Sequence, residues 1–258
     1  MIKYLQMHYI NWKNIWQEIL LIGSDILKKN VHEEKINMEP IAHIQNDFSA
    51  KFGIPRQSRL VEEITGTIIF TQKYRNPDAL RGIEGYSHLW LLWEFSENIR
   101  ENWSATVRPP RLGSNTRMGV FATRSPFRPN PIGLSVVKLD KVELESSQGP
   151  ILYVKGADLM NGTPIFDIKP YLPHVDSIPE AWGGFATKVA GKALEVQCSQ
   201  RILAQFPREK QHVLLEILAQ DPRPGYQHDP ERVYGIDFAG FNVKFTVRGN
   251  ILEVVKIV

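Results

Sequence analysis

Between Arg108 and Gly133 the chain places five arginines, Arg108, Arg111, Arg117, Arg124 and Arg128, with no lysine and no acid, in a protein of 258 residues whose formal net charge is only +3. Guanidinium stays ionised and offers a planar fork of donors, so this patch suits recognition of phosphate or carboxylate. The bland alternative is a set of arginines that satisfy loop carbonyls, which a proline-rich segment leaves in number. Without a compensating acid, recognition is the stronger reading of the set, while any single arginine stays open to the structural role. Arg124 stands apart: it follows VFAT and lies between small polar residues, a place suited to a pocket rim. A second candidate is Asp158, the acid near the end of PILYVKGADL and just before Asn161-Gly162. It either caps that turn, the plainer reading, or stands at the rim of a barrel as a carboxylate able to bond ligand hydroxyls or amines. Two further polar loops, Pro55-Arg56-Gln57-Ser58 and Ser96-Glu97-Asn98, border apolar strands, the usual setting of a site.

Other patterns carry less. Ser135 and Lys138 match an SxxK nucleophile motif, but residues three apart on an alternating strand point to opposite faces. Asn102-Trp103-Ser104 and Asn161-Gly162-Thr163 are glycosylation sequons without a secretory context. His43 and His88 sit inside strand patterns and read as semi-buried structural histidines. The seven histidines show no HExxH spacing, and the single Cys198 excludes an internal disulfide or a multi-cysteine zinc site, so no metal is assigned. One cysteine fits a reducing compartment, with the cytoplasm as the default.

The elements that must position these residues are mostly strands. From Pro40 the apolar period is two: PIAHIQN, GTIIFTQKY, YSHLWLLWEF, GLSVVKLDKVEL and PILYVKGADL are rich in β-branched and aromatic residues, with turn chemistry between them. Without intervening helical patterns, and without a GxGxxG or GxxxxGK[ST] motif, they predict an antiparallel β-barrel or sandwich rather than a Rossmann sheet. The segment from Thr106 to Leu139 reads as arginine-bearing loops around one short strand, Met118 to Thr123. After IFDIK, the Gly-rich stretch from Trp182 to Val189 reads as a linker. A helical stretch from Arg201 to Gln220, interrupted at Pro207, then precedes three strands, VYGIDF, FNVKFTV and ILEVVKIV. The expected domains are therefore a helical extension over residues 1–37, a barrel over 38–185 and a small α+β lobe over 186–258. In the extension the longest apolar run, Ile19 to Ile22, is far short of the roughly 20 residues of a membrane span. Nor does it read as a signal peptide.

Five blocks carry more than composition does: IPRQS (54–58), RGIEGYSHLWLLWEF (81–95), VRPPRLGSNTRMGVFATRSPFRPNPIGLS (107–135), DLMNGTPIFDIKPYLP (158–173) and AQDPRPGY (219–226). In this order, and from about Met38 to the C-terminus, they closely resemble the TsaA-like proteins known as the YaeB or TrmO family. The resemblance implies a transferase of the tRNA-modification class, a homodimer with a β-barrel and a smaller C-terminal domain. Its implied reaction moves a methyl group from S-adenosylmethionine to N6 of N6-threonylcarbamoyladenosine at position 37 of tRNA, giving the m6t6A nucleoside. It also implies cofactor contacts at Arg56, Gln57, Ser58, Ser96, Glu97, Arg124, Leu134, Gly156, Ala157, Asp158 and Leu159. Ser96 and Glu97 depart from the His-Gln-like pair common there, which directs the expectation toward backbone contacts. Asp158 or Glu97 would bond ribose hydroxyls or the amino group, Leu134 would line adenine, and Arg124 would meet the methionine carboxylate. For the anticodon loop there remain Arg108, Arg111, Arg117 and Arg128, with Arg223 and Tyr226 of DPRPGY as a further cation and ring. No general base is assigned; Asp158 is the first candidate.

Two other classes compete. A non-catalytic RNA-binding barrel would use the arginines for phosphate and hold no cofactor. A small-molecule hydrolase is disfavoured, because no nucleophile, base and orienting group can be read together.

Overall fold

The computed structural model describes residues 37–99, 102–112, 116–189, 193–224, 227 and 229–258. The helical extension expected over residues 1–37 lies outside them except for its last residue, Asn37. All the elements that follow belong to one unit, Glu39–Val258.

Six antiparallel strands close into a barrel: β1 (Ala42–Asn46), β2 (Thr65–Phe70), β3 (His88–Glu94), β6 (Ile132–Glu143), β7 (Ile151–Lys155) and β8 (Pro164–Pro170), in the order β1-β2-β7-β6-β3-β8, with β8 returning to β1. The expected mainly β architecture is the one that forms. Alternation explains it. Along β3, Leu89, Leu91 and Trp93 are buried, whereas His88, Trp90, Leu92 and Glu94 lie between them half-exposed. The inward residues meet Ile44, Ile68, Leu152 and Ile165 in one apolar core.

A two-stranded ribbon, β4 (Thr106–Val107) with β5 (Met118–Gly119), stands apart from the barrel sheet. The single strand expected from Met118 to Thr123 ends at Gly119. Val120–Ala122 turns into a 3-10 helix instead, held by Thr123, whose backbone N–H and Oγ1–H both donate to the Val120 carbonyl at 3.1 and 2.8 Å.

Beyond the barrel come two short helices, α1 (Pro173–Asp176) and α2 (Phe185–Val189), the second within the stretch expected to be a linker. The C-terminal lobe combines β9 (Glu195–Gln197), α3 (Gln200–Leu203), α4 (Gln211–Ala219), β10 (Tyr234–Phe238), β11 (Phe241–Arg248) and β12 (Ile251–Ile257). Its sheet runs β10-β11-β12-β9, and the three-residue β9, too short to show a period in sequence, pairs parallel to β12. Val213, Leu214, Ile217 and Leu218 bury one face of α4.

The second core is not built from the C-terminal lobe alone. Phe48, Val61 and Ile64, all from the loop between β1 and β2, pack into it with Leu214, Phe245 and Leu252. Fully burying Phe48 contributes about 1.5–3 kcal/mol. The Lys210 ammonium donates to both Asp47 carboxylate oxygens at 2.8 and 2.7 Å, and Ala239 N–H bonds the Asp47 carbonyl at 3.1 Å. The lobe thereby fixes the loop that carries Arg56, Gln57 and Ser58.

Candidate active site

Pairing register decides where the candidate residues meet. The end of β1, the start of β2, the end of β7, the start of β6, the end of β3 and the start of β8 share one rim, as the partners Asn46 and Gly66, Thr65 and Lys155, Glu94 and Ile132, and Trp93 and Ile165 show. Arg56–Ser58, Ser96–Glu97, Arg124 and Gly156–Leu159 occupy the connections at that rim, and Leu134 lies in its first strand turn.

Asp158 anchors the centre. Its Oδ1 accepts the Ser135 hydroxyl at 2.5 Å, and Ser135, only 1 % exposed, accepts the indole N–H of Trp93 at 2.9 Å. The indole can only donate, so the hydroxyl proton must point at the carboxylate and the direction of the relay is fixed. Gly133 makes room for it: a Cβ there would stand 2.2 Å from Trp93 Cε2. Burial pushes the Asp158 carboxyl above its usual value, while the bond from Ser135, the backbone N–H groups of Asp158 and Ser58, and the charge of Arg124 oppose that rise. The plainer expectation, that Asp158 caps the Asn-Gly turn, is therefore corrected. Asn161 Oδ1 accepts Asn46 N–H at 3.1 Å, the Thr163 hydroxyl donates to the Met160 carbonyl at 2.7 Å, and Gly162 supplies the left-handed residue.

The loop after β1 closes on this carboxylate. Arg59 N–H donates to the Gly156 carbonyl at 2.9 Å and Gly156 N–H to that of Ile64 at 2.8 Å, with Gly156 at φ +75°, a conformation that favours glycine. Gln57 Oε1 accepts from the Arg124 guanidinium, which orients an otherwise exposed cation. Arg56 turns the other way and donates to the carbonyls of Asp221 at 3.2 Å and Arg223 at 2.9 Å. Ala157 and Leu159 are core residues, 1 % and 0 % exposed, so at these two positions the backbone is what the rim offers.

Ser96 and Glu97 lie in a 3-10 turn beside the same rim. Lys51 donates to the Glu97 carbonyl at 2.6 Å and to Asn98 Oδ1 at 3.3 Å, and Phe95 N–H bonds the Pro131 carbonyl at 2.8 Å. Leu134 faces away from Ser135: it is more than half exposed on the outer wall, opposite Leu92. The structure thus brings Gln57, Ser58, Arg124 and Asp158 together and sets Leu134 across the sheet from them.

The arginines divide in two. Arg128 donates to the carbonyls of Val120 at 3.2 Å and Thr123 at 2.7 Å, the loop-satisfying role. Arg223 is 9 % exposed and forks onto Asp221, Nε to Oδ1 at 2.8 Å and one terminal nitrogen to Oδ2 at 2.9 Å. By contrast, the pairing of Val107 with Met118 puts Arg108 and Arg117 opposite one another just past the ribbon, both exposed. The Arg111 side chain and Tyr226 lie outside the described residues. Sequence reasoning set Ser135 aside with its SxxK match and named neither Trp93 nor its bond. The one available signal was the small-polar pattern Gly133-Leu134-Ser135 on an otherwise apolar inward face.

With this geometry in place, comparison with known proteins becomes specific. Residues 43–177 match the family model of the tRNA-methyltransferase O N-terminal domain, and residues 191–258 match that of the TrmO C-terminal domain. The chain belongs to the TrmO family. A TrmO-family relative from Escherichia coli (strain K12), named tRNA (adenine(37)-N6)-methyltransferase, is 42% identical over 84% of this chain and 95% of its own length. A Pseudomonas aeruginosa relative named as a putative S-adenosylmethionine-dependent methyltransferase, RcsF, is 39% identical over 78% of this chain and 87% of its own. The crystal structure of TrmO from Pseudomonas aeruginosa superposes with a TM-score of 0.66 at 32% identity, covering 86% of this chain and 98% of that one.

Proposed function

We propose that this chain is an S-adenosylmethionine-dependent tRNA methyltransferase that converts N6-threonylcarbamoyladenosine at position 37 to its N6-methyl form. The observation that carries the reading beyond family membership is the convergence of four loops, distant in sequence, on one barrel rim around Asp158 and Arg124. The same chain bears an exposed, acid-free pair of arginines on the neighbouring ribbon.

The donor set fits the cofactor. Arg124, oriented by Gln57, is an exposed cation suited to a methionine carboxylate. Glu97, in another loop at the same rim, would bond ribose hydroxyls or the amino group together with the backbone of Gly156–Leu159, while the Asp158 carboxylate already accepts from Ser135 and from the backbone N–H groups of Asp158 and Ser58. Ser96 offers a backbone contact, whereas Leu134, on the outer wall of the barrel, stands apart from this group and is not the adenine wall it was expected to be. When bound, S-adenosylmethionine supplies an electrophilic methyl group on a sulfonium. The protein's part is to hold the acceptor nitrogen in line with that group. It must also take the N6 proton. Asp158 is the residue we assign to that task, because burial raises its affinity for a proton and Ser135 fixes its orientation.

Arg108 and Arg117, with Arg111 and Tyr226 of the original set, would meet anticodon-loop phosphates and bases. Arg128 and Arg223 serve better as positioning residues for the Val120–Ala122 turn and the 221–224 turn. We read the functional unit as a homodimer in the cytoplasm. Exposed Leu134, Val175, Ile178 and Trp182 support an apolar surface between copies, and a tRNA substrate supports the compartment. Among the described residues no helix is long and apolar enough to cross a membrane.

The decisive test is nucleoside mass spectrometry of tRNA from cells with and without this chain. The m6t6A nucleoside should disappear on deletion and return on complementation; an unchanged amount would overturn the reading. A second arm adds purified protein and S-adenosylmethionine to tRNA from the deletion strain. RNA binding without methyl transfer would favour the non-catalytic barrel.

A further inference from the structure

One feature of the surface belongs neither to the rim nor to the arginines. Trp103 and Phe121 are 54 % and 71 % exposed, yet their rings are stacked, with centroids 6.1 Å apart at 29°. Large rings held against each other in water need a framework, and the ribbon supplies one. Val120 N–H donates to the Ala105 carbonyl at 2.9 Å, and the Ser104 hydroxyl to that of Thr106 at 2.8 Å. The first bond ties the Trp103 segment to the turn that presents Phe121, and the second braces that segment within itself. Arg128, which clamps the same turn, places its guanidinium 5.9 Å from the Phe121 ring centre. Beside the pair opens a cleft of about 110 Å³ lined by Asn98, Asn102, Phe127 and Pro129 as well as Trp103 and Arg128. The same ribbon presents Arg108, no more than about 18 Å of extended chain from Trp103, and Arg117 lies across from it.

We infer that the Trp103–Phe121 pair is a stacking platform for unpaired bases of the RNA substrate. The pair would work beside the arginines of the ribbon, which take the adjoining phosphates. The inference rests on the proposed action on tRNA and extends it to a second, uncharged contact. Charge favours one occupant: Arg128 stands 5.9 Å from the Phe121 ring centre, Arg108 and Arg117 belong to the same ribbon, and these cations outnumber the two acids of the preceding segment, Glu97 and Glu101, which complements a polyanion whose bases have π-faces. The polar cleft edge of Asn98 and Asn102 suits the hydrogen-bonding edge of a base.

The test measures binding of full-length protein to an unmodified anticodon stem-loop RNA and to a fully paired duplex of equal length, across a salt series. Trp103→Ala and Phe121→Ala should each weaken stem-loop binding roughly five- to 150-fold, the range of one lost base stack, and leave duplex binding within about twofold. The salt slope should stay unchanged, because no phosphate contact is lost. Trp103→Phe, which keeps a ring, should recover most of the affinity. Equal stem-loop affinity for wild type and both alanine variants would overturn the platform while leaving the methyl-transfer reading intact. So would a change of oligomeric state by sedimentation in those variants, which would give the rings to a second copy. If the wild-type chain neither bound the stem-loop nor methylated tRNA, the underlying reading would fail first. Both rings are exposed, so unchanged melting temperatures are expected and certify each comparison.

Discussion

The rim around Asp158 and the ribbon carrying Arg108 and Arg117 use polar residues in opposite ways. At the rim each group is already engaged: Trp93 holds Ser135, Ser135 holds Asp158, and Gln57 holds Arg124. On the ribbon Arg108 and Arg117 face solvent across two residue pairs of sheet. A cofactor with one fixed shape rewards the first arrangement, because orientation is set before binding. A flexible polyanion rewards the second, where attraction tolerates imprecise placement. The difference teaches that the four arginines of this segment whose side chains are described do not share one task. Arg124 is built into the rim, Arg128 into the turn, and Arg108 and Arg117 are left for an outside partner.

The sharpest way to break that contrast is at Asp158. Asp158→Asn retains an oxygen able to accept from Ser135 but cannot take a proton at neutral pH. Single-turnover methyl transfer should fall at least about 100-fold, the lower end of general-base effects, with stem-loop affinity unchanged. Full turnover in this variant would remove Asp158 from proton transfer. Loss of cofactor affinity by calorimetry, with turnover preserved at saturation, would give it a binding role instead.

Rigidity of the rim can be tested without touching a polar group. Gly133→Ala drives a methyl into the Trp93 ring, and overpacking of this kind costs about 1–3 kcal/mol. Thermal denaturation should show a melting temperature lower by several degrees, and cofactor affinity should fall with it because the indole can no longer hold Ser135. An unperturbed melting temperature would mean that the rim is softer than its geometry implies.

The ribbon should respond differently. Arg108→Ala and Arg117→Ala should each weaken RNA binding several-fold at low salt and reduce the slope of log affinity against log salt by about 0.7. Neither should move cofactor affinity or the melting temperature. A matching loss in cofactor affinity would join the two regions into one site.

How far the sequence reveals all this depends on the range of the forces. The strands are legible because burial on one face imposes a period of two, as in His88–Glu94. The α4 stripe is equally local. The linker reading of 182–189 misses α2 because a five-residue helix gives too little periodicity to detect. The strand expected to reach Thr123 stops at Gly119 because Thr123 bonds back to the Val120 carbonyl, a side-chain choice that overrides β-propensity. Contacts set by register are the least visible. Ser135 and Asp158 are 23 residues apart and meet only once β6 and β7 are paired. Arg223 reads as an available cation until its fork with Asp221 is seen, although the acid two residues before it was a signal in plain view.

The smallest effect expected is also the one that isolates the buried carboxylate. Folding raises the affinity of Asp158 for its proton, so in the interval above its usual value of 3.8 the native state binds more protons than the unfolded chain. Stability contributed by this group is then fully present at low pH and is lost as the pH rises through the raised native value. Glu63 has the opposite sign: its bond from Lys155 holds its carboxyl below the usual range, so its contribution is lost on acidification. Being exposed, that pair is weak, and the whole-protein curve will mix both signs. The difference between wild type and Asp158→Asn removes the mixture, because all other groups cancel. Denaturant unfolding between about pH 4 and pH 7 should show the wild type losing ground to the variant as pH rises, then running parallel to it. A difference that stayed flat would mean that the carboxylate is as well solvated in the fold as in the open chain. The rim would then be no more ordered around its acid than the ribbon is around its arginines.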